Sequence, residues 1–376
     1  MRRIITYIYD HPHWPHFQWN QKLSQLLAEV RHQQGRLMGR MESLGFDLQI
    51  EATLRMLTLD VVTTSEIEGQ ILNTDQVRSS ICRRLGIDRV GLVPADRNVD
   101  GIVEVMLDAT QNYKAPLTKK RLFGWHAALF PTGYSGMYQI KVGKWRNHQK
   151  GPMQVVSGPL GREHIHFEAP DASRLNPEMK VFFDWFNSPS DLDPVIKSAI
   201  AHLWFITIHP FDDGNGRLAR AIADMQLARS DSSKRRFYSM SAQIKKERKI
   251  YYKILEQTQK GTLDITVWLD WYLSCLCRAL LGTEQTLMGI IHKAHFWNTH
   301  RTQPVNARQQ LVLNKLLDGF EGKLTSSKWA KIAKCSQDTA LRDIQDLIDH
   351  GLLIKESTGG RSTSYALKQP TKYLDS

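Results

Sequence analysis

Twelve residues, His209 to Arg220 (HPFDDGNGRLAR), bring together a titratable base, two acids, two glycines and two arginines. Gly214 and Gly216 let the backbone come close to an anion, and Asn215 between them tolerates unusual dihedrals while offering a side-chain amide. Together they can form a nest of N–H groups, for which phosphate is the natural occupant. Arg217 and Arg220 are three residues apart, so on a helix they project from one face and can hold different phosphates with forked, permanently charged donors. Asp213 is the hard oxygen ligand that Mg2+ prefers. His209 titrates near neutral pH and can take a proton from an attacking hydroxyl. The chemistry implied is that of a general base beside a clamped, metal-bound polyphosphate.

Two helices must position these groups. After the glycines, Leu218, Ala219, Ile222, Ala223, Met225 and Leu227 predict a helix that starts at the loop and turns its N-terminal dipole toward the anion. Before them, Val195, Ile196, Ala199, Ile200, Leu203 and Ile206/Thr207 keep helical spacing for about four turns from Pro194, too long for a typical strand. That spacing speaks against reading GNGRLA as a dinucleotide-binding turn, and no repeated order of strand, acid and helix builds a parallel sheet. Phe211 reads as a core plug beneath the loop. Upstream, Leu54, Leu57, Val61, Val62 and Ile67 predict a helix from about Glu51 that ends near Gly69, a suitable residue for the left-handed turn past a helix end.

The loop resembles the Fic-domain motif HxFx[D/E]GNGRxxR, met at His209, Phe211, Asp213, Gly214, Asn215, Gly216, Arg217 and Arg220 with no fixed position missing. The resemblance implies transfer of AMP from ATP to a Ser, Thr or Tyr hydroxyl of a protein, itself included. His209 is then the base, Asp213 the Mg2+ ligand, and Gly214, Asn215, Gly216, Arg217 and Arg220 the nucleotide contacts. Thr64, Glu68 and Gly69 in TTSEIEGQ fit the [S/T]xxxE[G/N] pattern that Fic proteins use for self-inhibition. The resemblance implies that Glu68 pairs with Arg220 and displaces the γ-phosphate. A carboxylate there removes one phosphate clamp and adds negative charge where ATP must place its own. In some relatives this glutamate orients a water that removes AMP, so de-AMPylation stays open. So does transfer of another group, such as another nucleotide, a phosphate or phosphocholine.

Between the motifs, MQVV, a Ser-Gly-Pro-Leu-Gly turn and HIHF predict a β-hairpin within Ile140 to Phe167. Fic proteins carry a flap at this place, which pairs with the target's backbone as an added strand. His164 and His166 alternate on one strand face; with no cysteine or acid at ligand spacing, a flap edge accounts for them more simply than a metal site. Lys141, Lys144, Arg146, Lys150 and Arg162 predict a positive field suited to a polyphosphate or an acidic partner.

The aromatic N-terminal segment (Tyr7, Tyr9, Trp14, Phe17, Trp19) is similar to the extension of one branch of Fic proteins and predicts packing onto a neighbouring surface, ahead of a helix over about 21–41. His11, His13 and His16 fit that packing segment better than a metal site. From about 306 to 368 the pattern reads helix, helix, helix and hairpin, with Ser336 as an N-cap and the turn at Thr358-Gly-Gly-Arg, which looks like a winged helix. Its third helix sets Asp338, Asp343, Asp346 and Asp349 against Arg342, which disfavours DNA there, although Lys355, Arg361 and Lys368 of the wing could touch a backbone.

The expected architecture is mainly α. Residues 1–100 form a helical extension carrying the inhibitory helix, 101–290 a Fic-type catalytic domain with a β-hairpin flap, and 300–376 a winged helix. ATP, Mg2+ and a hydroxyl-bearing target protein are the expected ligands, with a second copy of the chain and, through the wing, DNA as further candidates. A nucleotide-sensing transcriptional regulator acting through the winged helix is the competing reading from another class. The net charge of +12 over 376 residues is only a moderate bias and requires no nucleic acid. Cys82, Cys275, Cys277 and Cys335 lack disulfide or zinc spacing, no apolar run follows Arg2 and Arg3, and none elsewhere reaches transmembrane length. The expectation is a cytoplasmic protein without a membrane partner.

Overall fold

The computed structural model describes residues 7–368 except 90, 150, 160, 318, 321 and 357–362; the side chains of 47, 284–287, 290, 291, 294 and 295 also lie outside that description. It divides into two compact units, 1–283 and 284–376. In the first, helices α1 (Leu23–Glu42), α2 (Phe46–Ile67), α3 (Thr74–Leu85), α4 (Arg97–Gln111) and α5 (Lys119–Leu129) precede two short antiparallel ribbons. These pair β1 (Tyr134–Ser135) with β2 (Tyr138–Gln139), and β3 (Gln154–Ser157) with β4 (His164–Glu168). Then follow α6 (Leu175–Asn187), α7 (Pro194–Ile208), α8 (Asn215–Asp231), α9 (Met240–Lys246), α10 (Arg248–Gln259) and the start of α11 (Thr266–Thr299). The chain is mainly α, as its periodicity predicts.

Local chemistry explains the two central helices. Asp193 caps α7, its carboxylate accepting from Val195 N at 2.8 Å, and Pro194 takes the first helical position, where its missing N–H costs nothing. Every residue from Val195 to Ile208 is buried, so α7 is covered all round by the other helices and lies at the centre of the unit. α8 packs along it, with Leu218, Ile222, Met225 and Leu227 fully buried. Burying each such side chain contributes roughly 1.5–3 kcal/mol. The loop joining α7 to α8 is thus held at both ends by buried, mutually packed helices.

α2 is anchored to the same core. Ser239 Oγ donates to Asp60 Oδ1 at 2.5 Å, and the buried Arg236 donates to Asp224 Oδ1 of α8 at 2.8 Å. Burial and the neighbouring Asp60 charge push the Asp224 carboxyl up to about 7. The N-terminal aromatics do pack down: Tyr7 and Tyr9 meet Phe167 of β4 edge-on, and Trp14 and Phe17 meet Trp204 of α7 in the same way.

The predicted hairpin is β3–β4, with Gln154 opposite Glu168 and Ser157 opposite His164. It leaves Val156 and Ile165 exposed. In the second unit α12 (Ala307–Leu317), α13 (Ser326–Ala333) and α14 (Gln337–Asp349) precede the antiparallel pair β5 (Leu353–Lys355) and β6 (Tyr365–Leu367), around a core that includes Val312, Trp329, Ile344 and Leu347. The turn placed at Thr358–Arg361 lies outside the described residues. Asp343 is not part of an acidic outer face: it is buried and accepts from Arg308 Nε at 2.9 Å and Nη2 at 3.0 Å. Among the described residues no helix is long and apolar enough to cross a membrane.

Candidate active site

Two left-handed residues shape the corner between α7 and α8: His209 (φ 50°, ψ 58°) closes α7 and Gly214 (φ 81°, ψ 0°) opens α8. For a histidine this conformation costs on the order of 1–3 kcal/mol and needs outside support. Arg146 supplies it, donating from Nε to His209 O at 2.7 Å and from Nη2 to Pro170 O at 2.6 Å, while its backbone N donates to Pro210 O at 2.9 Å. The sequence places Arg146 in a surface field of positive charge. The structure instead buries Arg146, which is only 5% exposed and spends its guanidinium on backbone carbonyls. Lys150, from the same group, lies outside the described residues.

The His209 ring is oriented by Nδ1, 3.2 Å from Ile206 O. A carbonyl only accepts, so the proton sits on Nδ1 and Nε2 keeps its lone pair. Burial pushes this imidazole down to about 4, and the charge of Arg146 works in the same direction. At neutral pH His209 is therefore an uncharged base.

Asn215 closes the loop on itself, accepting at Oδ1 from Phe211 N at 3.0 Å and donating from Nδ2 to Phe211 O at 2.8 Å. Expected as a nucleotide contact, it commits both amide atoms to the loop's own backbone, which leaves its backbone N–H for an anion. Phe211 is fully buried, as a plug should be, and His126 of α5 stacks on it at 4.1 Å and 15°. Gly143 N donates to His126 Nδ1 at 3.1 Å, so Nε2 carries the hydrogen and faces Asp213 O at 3.3 Å. Burial pushes His126 down to about 4 and keeps that tautomer neutral. Neither His126 nor Arg146 stands out in the sequence, since each reaches the loop from a remote segment.

Both loop arginines are buried and face the end of α2. Arg220 donates from Nε to Thr64 Oγ1 at 2.7 Å and from Nη2 to Thr64 O at 2.9 Å and Glu68 Oε1 at 2.8 Å. α2 ends in a Schellman turn: Gly69 N donates to Glu66 O and Gln70 N to Ser65 O, both at 3.0 Å, with Gly69 at φ 81°. That reversal brings Gln70 Oε1 to 2.9 Å from Arg217 Nη1, a contact the inhibitory pattern does not contain. The Glu68 carboxylate lies directly over Gly216, where a Cβ would stand 2.2 Å from Oε1. Even so, Arg217 Nε and Arg220 Nη1 are buried donors with no acceptor among the described residues. Buried donors without partners are costly, and a phosphate oxygen is the acceptor they suit.

Asp213 stands at the mouth of the loop, 43% exposed at its side chain, accepting from Gly214 N at 2.6 Å through Oδ1 and from the Ser135 hydroxyl through Oδ2. A half-exposed carboxylate at the edge of a phosphate nest suits Mg2+, which keeps several waters and takes its remaining ligands from phosphate. Beside it opens a cleft of about 940 Å3 lined by residues including Ser135, Tyr138, Lys141, Gln154, Ile165 and Asp213, between the β1–β2 ribbon and the flap. The sequence-predicted site residues therefore meet at one place, the α7–α8 corner with the end of α2 upon it.

Arg146→Met leaves the carbonyls of His209 and Pro170 unsatisfied, which is expected to cost about 2–4 kcal/mol and lower Tm by roughly 5 °C or more. Thermal unfolding measures it. An unchanged Tm would mean that the left-handed turn at His209 stands without this grip.

A family model described as Fic/DOC family matches residues 116–227, and one described as a domain of unknown function (DUF4172) matches residues 7–87. The protein adenylyltransferase fic-1 of Caenorhabditis elegans is 44% identical over 175 residues, covering 46% of this chain and 32% of that protein. The protein adenylyltransferase Fic of Drosophila willistoni is 28% identical over 231 residues, covering 59% of this chain and 39% of that protein. The chain thus spans less than half the length of these curated relatives. Among solved structures, a Fic family protein from Desulfovibrio desulfuricans G20 superposes with a TM-score of 0.52 at 18% identity, covering 95% of this chain and 98% of that one. A Fic domain containing signaling protein from Bacteroides thetaiotaomicron VPI-5482 gives 0.50 at 21% identity, covering 72% and 97%. At such identities the structural likeness concerns the fold. With an intact loop motif and a matching family model, residues 116–227 form a Fic/DOC family domain, similar to that of proteins named protein adenylyltransferase Fic.

Proposed function

We propose that this chain is a self-inhibited protein adenylyltransferase, transferring AMP from ATP to a Ser, Thr or Tyr hydroxyl of a protein docked on the flap, itself included. The observation that carries the proposal is Arg220, fully buried, held by Thr64 and Glu68, and still left with a donor that lacks an acceptor among the described residues. A guanidinium in that state is built for an anion that its own chain displaces.

In the reaction the target's hydroxyl oxygen attacks the α-phosphorus of ATP while its proton passes to His209 Nε2. The new P–O bond forms as the bond from the α-phosphorus to the bridging oxygen breaks, and pyrophosphate leaves. Backbone N–H groups at the start of α8, which have no carbonyl ahead of them, hold the phosphates together with Arg217 and Arg220. Asp213 would hold Mg2+, which supplies charge to the phosphates and leaving group. The exposed Val156 and Ile165 support docking of an extended segment along the flap. The helix, helix, helix and hairpin order of the second unit supports a winged helix. Asp338, Asp346 and Asp349 on α14 favour a protein ligand over DNA there.

Positionally labelled ATP tests the reaction. With the Glu68→Gly chain, label from the α-phosphate is expected to stay with protein and label from the γ-phosphate to leave in pyrophosphate. Retention of γ-label would indicate phosphate transfer and refute the proposal.

A further inference from the structure

Glu163 and Glu168 flank His164 and His166 in sequence, but the acid that the fold sets against both rings is Glu256 of α10. His166 Nδ1 lies 2.7 Å from Glu256 Oε2 and His164 Nε2 lies 3.8 Å from Glu256 Oε1. One donor atom from each of the three falls within 4.8 Å of the others. Two neutral imidazoles and a carboxylate form a zinc donor set, and tetrahedral bonds of about 2.0–2.2 Å put neighbouring donors roughly 3.3 Å apart. Modest side-chain rotation reaches that spacing, because the two rings already lie 4.6 Å apart and the His164 side chain is 67% exposed.

We infer that His164, His166 and Glu256 form a divalent transition-metal site, with Zn2+ as the ion its donors fit, that ties β4 of the flap to α10. The supporting contacts are those of such a site. Ser157 Oγ is 2.6 Å from His166 Nε2, so the ring nitrogen that does not face Glu256 has an orienting partner. A hydrogen must lie between His166 Nδ1 and the carboxylate at 2.7 Å, and the metal ion takes its place. Lys260 Nζ, 2.6 Å from Glu256 Oε1, shares the carboxylate until the ion displaces it. Three protein ligands leave one position for water. The site is separate from Asp213 and the phosphate loop. Its consequence follows from the chain it joins: one ligand set spans the flap and a core helix, so a bound ion fixes the strand along which a target would lie. Zn2+ availability would thereby act on target docking while leaving the nucleotide loop alone.

Titration of the chelator-treated full chain with Zn2+, followed by calorimetry, and with Co2+, followed by visible absorption, tests the site. One ion per chain and the intense bands of tetrahedral Co2+ are expected. His164→Ala and Glu256→Gln should each abolish that site, Ser157→Ala should weaken it by about tenfold, and Lys260→Met should tighten it severalfold. Far-UV circular dichroism establishes that each variant is folded. The inference is overturned if the wild-type chain takes up no Zn2+, or if His164→Ala and Glu256→Gln bind it as the wild type does, which would assign the ion to a place such as His11, His13 and His16. Weaker binding by Lys260→Met would contradict it equally.

Discussion

Replacing Glu68 by glycine is expected to raise AMP incorporation by about tenfold to a hundredfold over the wild-type chain. The Glu68 carboxylate meets Arg220 at 2.8 Å, with the guanidinium fully buried and the Glu68 side chain 30% exposed. A charge-assisted hydrogen bond in such surroundings contributes about 1.5–3 kcal/mol, and each 1.4 kcal/mol is a tenfold change in the population able to accept a phosphate. Glycine removes the carboxylate and also empties the space above Gly216, where Oε1 now stands within Cβ distance. Gln70→Ala removes only a neutral acceptor from Arg217, so its gain should be a few-fold. Incorporation of α-labelled ATP into the protein itself or into a lysate measures both. Equal gains from the two variants would mean that the end of α2 restrains the loop as a whole and that the carboxylate has no special part.

The second large effect is at His209. In the Glu68→Gly background, His209→Ala should lower incorporation by about 100-fold to 10,000-fold, the usual contribution of a positioned general base. The pH profile gives an independent check. Because burial holds the imidazole near 4, below its ordinary value, the base is already deprotonated at neutral pH. Its contribution is lost as pH falls through about 4 and is unaffected by a rise above neutrality. Incorporation per enzyme should therefore be flat from about pH 6 to pH 8. A midpoint near 6.5 would mean that the ring is solvated and that the hydrogen bond to Ile206 O does not set its state.

The candidate site and the end of α2 that meets it are legible in the sequence because their signals are local. Loop residues four to eleven positions apart share one turn, and the apolar periods on either side require α7 and α8. The flap is legible as two strand-like runs around a glycine-rich turn. Groups that reach the loop from elsewhere are not. Arg146 sits among lysines and reads as surface charge until the carbonyls of the His209 corner surround it. His126 looks like an ordinary helix residue, and only tertiary packing stacks it on Phe211. Gln70 is one residue beyond the inhibitory pattern, and its contact depends on the left-handed turn at Gly69. Asn215 shows the opposite limit: its place in the motif is plain, but which atoms its amide meets depends on the turn it closes. Glu256 is ninety residues from His166, and no spacing rule joins the two.

If Glu68 restrains AMP transfer through Arg220, a double-mutant cycle will show the two residues to be coupled. Incorporation of α-labelled ATP is compared for the wild-type chain, Glu68→Gly, Arg220→Ala and the double variant. The gain from Glu68→Gly should disappear in the Arg220→Ala background, since the carboxylate then has no clamp to occupy. The same fold increase in both backgrounds would contradict that coupling.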